Sequence, residues 1–243
     1  PASAATPTGK LSLEVTSDTN KTAGGSVSVA SGTSIKTLGG SVKIGGGLVY
    51  NGVGFANSQS AGEAGITLNG VTIDTRVDPA GAPGTAGGSV EMAGSTTADA
   101  AGVLLAGSTI QTGTGKVTLI GKSTGSNPAV AKGIKIDGGS SITTRTVELR
   151  TDSIDLAGQI TGDNDPAGYA KVWTLSDGRA INFGTGTGGL DLAGNTFSGS
   201  GKITNFYKNI VGDASRKANI TVGGVTSDSD LELNTGAGTM AVS

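Results

Sequence analysis

The sequence contains no cysteine and no histidine, and only 3% of its 243 residues are aromatic. The chain therefore has no disulfide, no thiolate or imidazole metal ligand and no catalytic triad with a histidine base. No apolar run reaches the length of about 18 residues that a membrane-spanning helix needs. The 17 basic residues are scattered and the formal net charge is −2, so no nucleic-acid footprint is visible. We expect no cofactor, no metal, no nucleic-acid partner and no membrane span.

Small residues dominate what is present. Glycine accounts for 44 residues, and glycine, threonine and serine together for 101 of the 243. The glycines lack the three-residue period of collagen, and a hydrophobic content of 35% argues against a disordered linker. This composition predicts an all-β chain in which many short strands are joined by tight turns.

Two sequence words recur along the chain. The first is Gly-Gly-Ser-Val, at 24–27, 39–42 and 87–90, with weaker copies at 9–13, 115–120, 146–149 and 201–204. The second is Gly-Ile-Thr-Leu-Asn-Gly-Val-Thr-Ile-Asp-Thr at 65–75, which aligns with 102–112, 133–144 and 189–199. In both words apolar residues stand two apart, which is the pattern of strands.

The spacing of the words predicts a solenoid. A unit of roughly thirty residues with three short strands is one coil, and stacked coils satisfy each other's apolar and backbone edges. We therefore predict a single-stranded, right-handed parallel β-helix over 9–243, after a flexible segment 1–8, because crossovers between parallel strands favour that hand. A propeller would need periodic aromatics, and a calcium-binding roll would need a repeated Gly-Gly-x-Gly-x-Asp motif; neither is present.

Stacked coils would place equivalent side chains in columns. One predicted column is Ile73, Ile110, Ile142 and Phe197, and another is Ile66, Val103, Ile134 and Leu190. Thr75, Thr112 and Thr144 align two residues after the first column and predict an inward hydroxyl ladder.

Two stretches lengthen one coil. Relative to the other copies, insertions occupy 45–64 and 76–86, beside the word at 65–75. Insertions in solenoids form loops that often bind ligands, although Leu48-Val49-Tyr50 could equally be an extra strand. The predicted binding residues, which combine flat rings with hydrogen-bonding groups, are Tyr50, Asn51, Phe55, Gln59, Arg76 and Asp78.

A third departure is compositional. Six of the eight aromatic residues fall within 169–207, and we interpret them as core or as a cap, with a lateral binding patch as the alternative. The acidic pair Asp163/Asp165 and the trio Asp228/Asp230/Glu232 are the candidates for carboxylate catalysis. Acidic residues in turns are usually solvated surface, so we predict no catalytic residue.

The words Gly-Gly-Ser-Val-x-Ile, Gly-Ile-x-Leu-x-Gly-Ser-x-Ile-x-Thr and Gly-Lys-Val-Thr-Leu-Ile-Gly resemble the filamentous-haemagglutinin-like exoproteins of Gram-negative bacteria. The resemblance covers about 9–243. It implies a right-handed β-helical shaft, exported by two-partner secretion with an outer-membrane partner and located at the cell surface or outside the cell. The Asn-Pro-Asn signature of the family's secretion domain is absent, so the resemblance implies a shaft segment.

These features lead to a functional expectation. We expect a non-enzymatic adhesin-type protein whose rigid shaft presents binding loops to a host-cell surface, a glycan or a matrix protein. Two alternatives remain open: a β-helical lyase or hydrolase acting on polysaccharide, and a structural subunit of an extracellular filament or matrix.

Overall fold

The chain folds entirely into β-structure. The computed structural model describes residues 9–18, 24–50, 53–81 and 84–243, and no helix occurs in these ranges. Accordingly, no described segment is a helix long and apolar enough to cross a bilayer. The predicted all-β class is therefore confirmed. The predicted flexible segment 1–8 lies outside the described residues.

Most strands are short, as the glycine-rich composition predicts; the exceptions are Thr109–Ser123 and Ser141–Thr151, of 15 and 11 residues. In chain order they are β1 (Leu13–Ser17), β2 (Val27–Val29), β3 (Ser34–Lys36), β4 (Val42–Gly46), β5 (Leu48–Tyr50), β6 (Val53–Ser58), β7 (Ile66–Asn69), β8 (Thr72–Asp74), β9 (Val90–Thr96), β10 (Val103–Ala106), β11 (Thr109–Ser123) and β12 (Ile134–Ile136). They continue as β13 (Ser141–Thr151), β14 (Ile154–Leu156), β15 (Gln159–Thr161), β16 (Tyr169–Trp173), β17 (Ile181–Phe183), β18 (Leu190–Leu192), β19 (Ile203–Thr204), β20 (Lys208–Gly212), β21 (Ile220–Val222), β22 (Asp230–Asn234) and β23 (Met240–Val242).

Successive repeats stack in parallel and form three faces. The first face runs in the order β1-β4-β9-β11-β13-β16-β20-β22, and the second in the order β2-β7-β10-β12-β14. The third face passes from β3 through β8, β11, β13 and β15 to β19. The long strands β11 and β13 belong to both the third and the first face. Parallel sheets of stacked three-strand repeats are compatible with a β-solenoid.

The turn inside β11 depends on glycine. The pairing of β11 with β13 shifts register between Gln111 and Gly113 and again between Gly113 and Lys116. Gly113 has a φ of 57°, a conformation that glycine adopts without the steric cost of a Cβ atom. The strand therefore bends from the third face to the first without ending.

The inner side chains form the predicted columns, with a correction at one end of each. Ile73, Ile110 and Ile142 are in register, but the column continues through Ile160 and Ile203 instead of Phe197.

The second column is corrected in the same way. Ile66, Val103 and Ile134 are in register, and Ile154 follows them. Leu190 instead pairs with Ile181 in a separate sheet. Both columns are thus predicted correctly up to the sixth repeat, where the chain departs from the pattern.

One word is also misassigned in the first repeat. The copy at 24–27 leads into β2 on the second face, where Val27 lies opposite Ile66. It does not lead into the first face with Val42 and Val90.

The predicted threonine ladder is buried and partly connected. Thr75, Thr112 and Thr144 are all at most 2% exposed. The hydroxyl of Thr112 donates to that of Thr144 at 2.7 Å, whereas Thr75 donates to the carbonyl of Gly88. Thr37 extends the series with a hydrogen bond to the carbonyl of Gly40. The hydroxyls thus satisfy corner carbonyls as well as each other.

The sixth repeat interrupts the second face. After β17 the chain returns to the level where that strand began, and β18 then runs parallel to β17 on the side that faces β14. The strands β18, β17, β21 and β23 form a separate four-stranded sheet in that order. No ladder joins β14 to β18. The second face is therefore broken between the fifth and sixth repeats, while the first and third faces continue past this level.

Candidate functional site

The first insertion is a β-hairpin on the edge of the first face. β5 pairs antiparallel with β6, so the interpretation of Leu48-Val49-Tyr50 as an extra strand is confirmed. β6 then pairs in parallel with β9, through Ala56 opposite Gly94. The insertion thus lengthens the sheet and does not project as a free loop.

Phe55 anchors this hairpin. Its side chain is 1% exposed and packs with Ala93, Ile120, Leu175 and the partly buried Val53 in a small cluster separate from the main core. The ring that the sequence suggested for ligand contact is therefore an internal contact of the hairpin.

A cleft of ≈ 310 Å³ lies beside the hairpin. Val49, which is 58% exposed, forms part of its rim. The polar residues that line the cleft include Asn57, Ser95 and Thr97. The hydroxyl of Ser95 donates to the amide oxygen of Asn57 at 2.8 Å. The cleft offers an apolar edge beside hydroxyl and amide groups.

The structure describes two of the three remaining predicted residues of this insertion. Tyr50 ends β5, and Gln59 is exposed directly after β6. Asn51 lies outside the described residues.

Arg76 organises the second insertion. Its guanidinium donates to both carboxylate oxygens of Asp74, at 2.9 and 2.8 Å. It also donates to the carbonyls of Pro79 and Gly81 and to the side-chain oxygen of Gln111. The hydrogen bond with Asp74 raises the pKa of Arg76 despite its partial burial. The side chain is therefore occupied in holding its own loop, in which Asp78 is exposed.

The two insertions lie at opposite edges of the first face. The hairpin follows the end of β4, whereas the loop 76–86 precedes the start of β9. Phe55 and Arg76 line different clefts, the second of ≈ 260 Å³ with Gln111 and Asp163 in its wall. The structure thus does not bring the predicted binding residues together in one pocket.

Three aromatic residues of 169–207 belong to the core, which confirms that interpretation for them. Phe183, Phe197 and Phe206 are at most 1% exposed, and the rings of Phe183 and Phe197 meet edge to face at 5.6 Å. They fill the wider interior of the sixth repeat, where β17 and β18 lie side by side.

The other aromatics of the stretch lie on the outside. Trp173 is half-buried, with the guanidinium of Arg150 at 4.6 Å and the ammonium of Lys171 at 4.9 Å from the ring centroid, in favourable cation–π positions. The hydroxyl of Tyr169 donates to Glu148 at 2.7 Å; burial and this hydrogen bond raise its pKa to about 12. Tyr207 is exposed.

The interruption of the second face creates two adjoining clefts. One of ≈ 580 Å³ is lined by the loop 123–132, residues 152–154, Arg179 and the loop 187–191; the other, of ≈ 210 Å³, is lined by 154–156, 191–196 and Lys202. Ile154 and Asp191 line both. We call the two clefts together the break groove. A third cleft of ≈ 410 Å³ lies further along the same face, over Ser28, Thr67, Leu104 and Lys135.

The break groove is lined by three carboxylates, each of which already has a partner. Asp155 pairs with Lys135 at 3.6 Å. Asp152 accepts hydrogen bonds from the backbone N–H groups of Leu175 and Ser176 and from the Ser176 hydroxyl. Asp191 accepts from Asn182 and from the N–H groups of two glycines.

The cations of the break groove differ from its carboxylates. No ion pair in the described ranges involves Lys132, Arg179 or Lys202. The buried Nε of Arg179 also has no hydrogen-bond partner. The groove therefore presents three cations without an acidic partner beside three carboxylates that already have partners.

Three of the five acidic residues considered for catalysis are held by cations. Arg145 binds Asp163 at 3.0 Å and Asp165 at 3.1 Å, and Lys208 binds Glu232 at 3.0 Å. Within the described part of the chain, no group of three or more acidic residues is placed to hold a metal ion.

The sequence carried a signal for the break groove. Ile181-Asn182-Phe183 and Leu190-Asp191-Leu192 are both apolar–polar–apolar triplets of the second-face type, within a single repeat length. Two such triplets in one repeat indicate a doubled strand and hence an irregularity on that face. Comparisons of this chain with protein-family models, with curated proteins and with solved structures found no match.

Proposed function

We propose that this chain is a non-enzymatic, surface-exposed or secreted bacterial protein of adhesin type. In this proposal it is a right-handed parallel β-helix whose sides bind a host-cell surface, a glycan or a matrix protein. The hand follows from the preference of crossovers between parallel strands, and the export route from the resemblance to filamentous-haemagglutinin-like exoproteins.

The observation that carries this proposal is the location of the clefts. The inner columns are regular through five repeats, whereas four of the five clefts accompany departures from the repeat, at the hairpin, at the loop 76–86 and at β18. The fifth lies over the regular part of the second face. Insertions and irregular segments on one side of a solenoid are where such proteins bind ligands. The clefts combine apolar and polar lining, which suits binding through many small contacts.

A binding assay with the whole chain tests this proposal. The labelled protein is applied to epithelial cells, to a glycan panel and to immobilised matrix proteins, and released sugar is measured in parallel on acidic polysaccharides with and without calcium. We expect saturable binding to at least one surface and no release of sugar. Absence of saturable binding, or turnover of a polysaccharide, contradicts the proposal.

One substitution links the binding to the hairpin cleft. Thr97→Arg places a long side chain in that cleft and should weaken binding if the insertion recognises the ligand. Thr72→Arg is the matched control, because Thr72 is exposed on β8 of the third face. Equal loss of binding in both variants would show that the added charge, and not the cleft, is responsible.

A further inference from the structure

We propose that the break groove binds a segment of an acidic polysaccharide, a chain of uronate sugars whose carboxylates contact Lys132, Arg179 and Lys202. This inference rests on the proposed function only in that the protein binds a glycan without turning it over. It assigns the ligand to a site apart from the two insertions.

The charge of the ligand follows from the pairing in the groove. Asp152 and Asp191 are satisfied by protein donors, and Asp155 is paired with Lys135. These three carboxylates therefore do not require a cationic ligand. The three cations have no acidic partner in the described ranges, and the buried Nε of Arg179 lacks an acceptor. A buried donor without a partner costs free energy, and a carboxylate is the acceptor that forms the strongest hydrogen bonds with Arg and Lys.

Backbone groups at the break provide the second set of contacts. In a parallel ladder, alternate residues of a strand turn their N–H and C=O groups to opposite neighbours. Ser153 and Ala157 bond to β12, which turns the peptide groups of Ile154 and Leu156 towards β18. Leu190 and Leu192 bond to the β17 side, which turns those of Asp191 towards β14.

The peptide groups that face the gap between β14 and β18 suit a sugar. In the described part of the chain, no ladder pairs the facing edges of β14 and β18. Sugar hydroxyls both donate and accept, so they can satisfy N–H and C=O groups from the same side.

The spacing favours a glycan over a peptide strand. Unpaired strand edges are also templates for an added strand. A strand inserted between β14 and β18 would require the two to be about 9.6 Å apart, twice the usual spacing of about 4.8 Å. Some Cα atoms of β14 and β18 lie within 8 Å of each other. The gap is therefore too narrow for a strand, and the ligand must lie in the two clefts at its ends and over it.

Calorimetry with a defined oligosaccharide tests this inference. The probe is α-1,4-linked hexagalacturonate, and its fully methyl-esterified form is the uncharged counterpart. We expect the acid form to bind the wild-type chain and the ester to bind about tenfold more weakly or worse, as expected when charge-assisted hydrogen bonds are lost. Absence of binding by the acid form, or equal affinity for the two forms, overturns the inference.

Paired variants locate the site. Lys132→Gln/Lys202→Gln removes two groove cations, neither of them buried. Lys10→Gln/Lys36→Gln removes two exposed lysines from other positions and changes the net charge equally. We expect about tenfold weaker binding in the first variant only, and a further loss on adding Arg179→Gln. Equal effects of the two double variants overturn the inference.

Hydrogen exchange separates the remaining outcomes. Bound hexagalacturonate should slow exchange at the amides of Leu156 and Asp191. If an extended peptide protects these amides and the sugar does not, the groove is a strand-addition site and the inference is wrong. Failure with hexagalacturonate leaves the cell and matrix assay unaffected, so the two proposals fail independently.

Discussion

The glycines of the repeated words are required by the stacking of the repeats. A Cβ atom at Gly88 would lie 2.0 Å from the carbonyl oxygen of Gly40, and one at Gly115 would lie 2.1 Å from that of Gly88. These three residues are equivalent positions of the first word in successive repeats. The word recurs because the backbone of one repeat contacts the backbone of the next at this corner.

Gly88→Ala should therefore destabilise the protein by about 2 kcal/mol or more, the scale of overpacking in a closely packed interior. Urea denaturation measures the change in free energy of unfolding. Gly9→Ala is the control, because a Cβ at Gly9 meets nothing within 4 Å. If Gly88→Ala is as stable as Gly9→Ala, the close contact at the corner is not a constraint.

Asp213 contributes a pH-dependent ion pair on the first face. Burial alone would raise its pKa, but hydrogen bonds from Lys171 and Ser215 outweigh this effect, and the pKa of Asp213 is lowered. A carboxylate with a lowered pKa stabilises the fold above its unfolded pKa of about 4, and this contribution is lost as the pH falls through its folded pKa. The Lys171 and Asp213 side chains are only 20% and 12% exposed.

Asp213→Asn should remove about 1.5–3 kcal/mol at pH 7, the range for hydrogen bonds to charged groups. The loss should become smaller as the pH is lowered from about 4 towards 2, because the wild-type carboxyl loses its charge as the pH falls through its folded pKa. Thermal or urea melts across this pH range measure both. Glu91→Gln, at an exposed position of β9, should change stability little at either pH. A loss that is equal at pH 7 and pH 2 would exclude the ionised pair as its cause.

At the scale of elements, the sequence predicted the regular repeats well and the irregular ones poorly. Period-two apolar residues and steric glycines specify a strand and a corner locally, so the words at 65–75 and 102–112 were placed correctly. The position of β18 depends on the return of the chain after β17, which lets β18 pair in parallel with β17. The recurring words do not predict this return, so the prediction for the column of Leu190 is wrong. Whether an insertion pairs with the sheet or projects as a loop depends on tertiary contacts.

The hairpin of the first insertion is held by one ring. Phe55→Ala should destabilise the protein by about 3 kcal/mol, as is usual for removing a buried phenylalanine. The loss should be concentrated in β5 and β6, because the cluster is separate from the main core. Hydrogen exchange at 53–58 together with thermal melting measures this. Val49→Ala is the control since Val49 is largely exposed, and a global loss of protection in Phe55→Ala would show that the hairpin is not a separate unit.

At the scale of the whole molecule, continuity on two faces compensates for the interruption of the third. Repeat proteins are stabilised by contacts between neighbouring repeats, and the first and third faces pair across the level of the break through β13–β16 and β15–β19. Phe183 and Phe197 fill the interior at this level. The chain can therefore leave strand edges unpaired on the second face while its core remains continuous.

This arrangement predicts a local pattern of amide hydrogen exchange. The N–H of Ala157 donates to the carbonyl of Ile136 at 2.9 Å and should be strongly protected. The N–H of Leu156, one residue earlier, faces the gap and should exchange much faster, since it opens without breaking a ladder hydrogen bond. The amide of Ile136 within the intact β12 ladder serves as the reference for a paired strand. NMR-detected exchange of the free protein resolves these neighbours individually. Equal protection of Leu156 and Ala157 would mean that β14 has a hydrogen-bonded partner on both sides and that the second face is continuous.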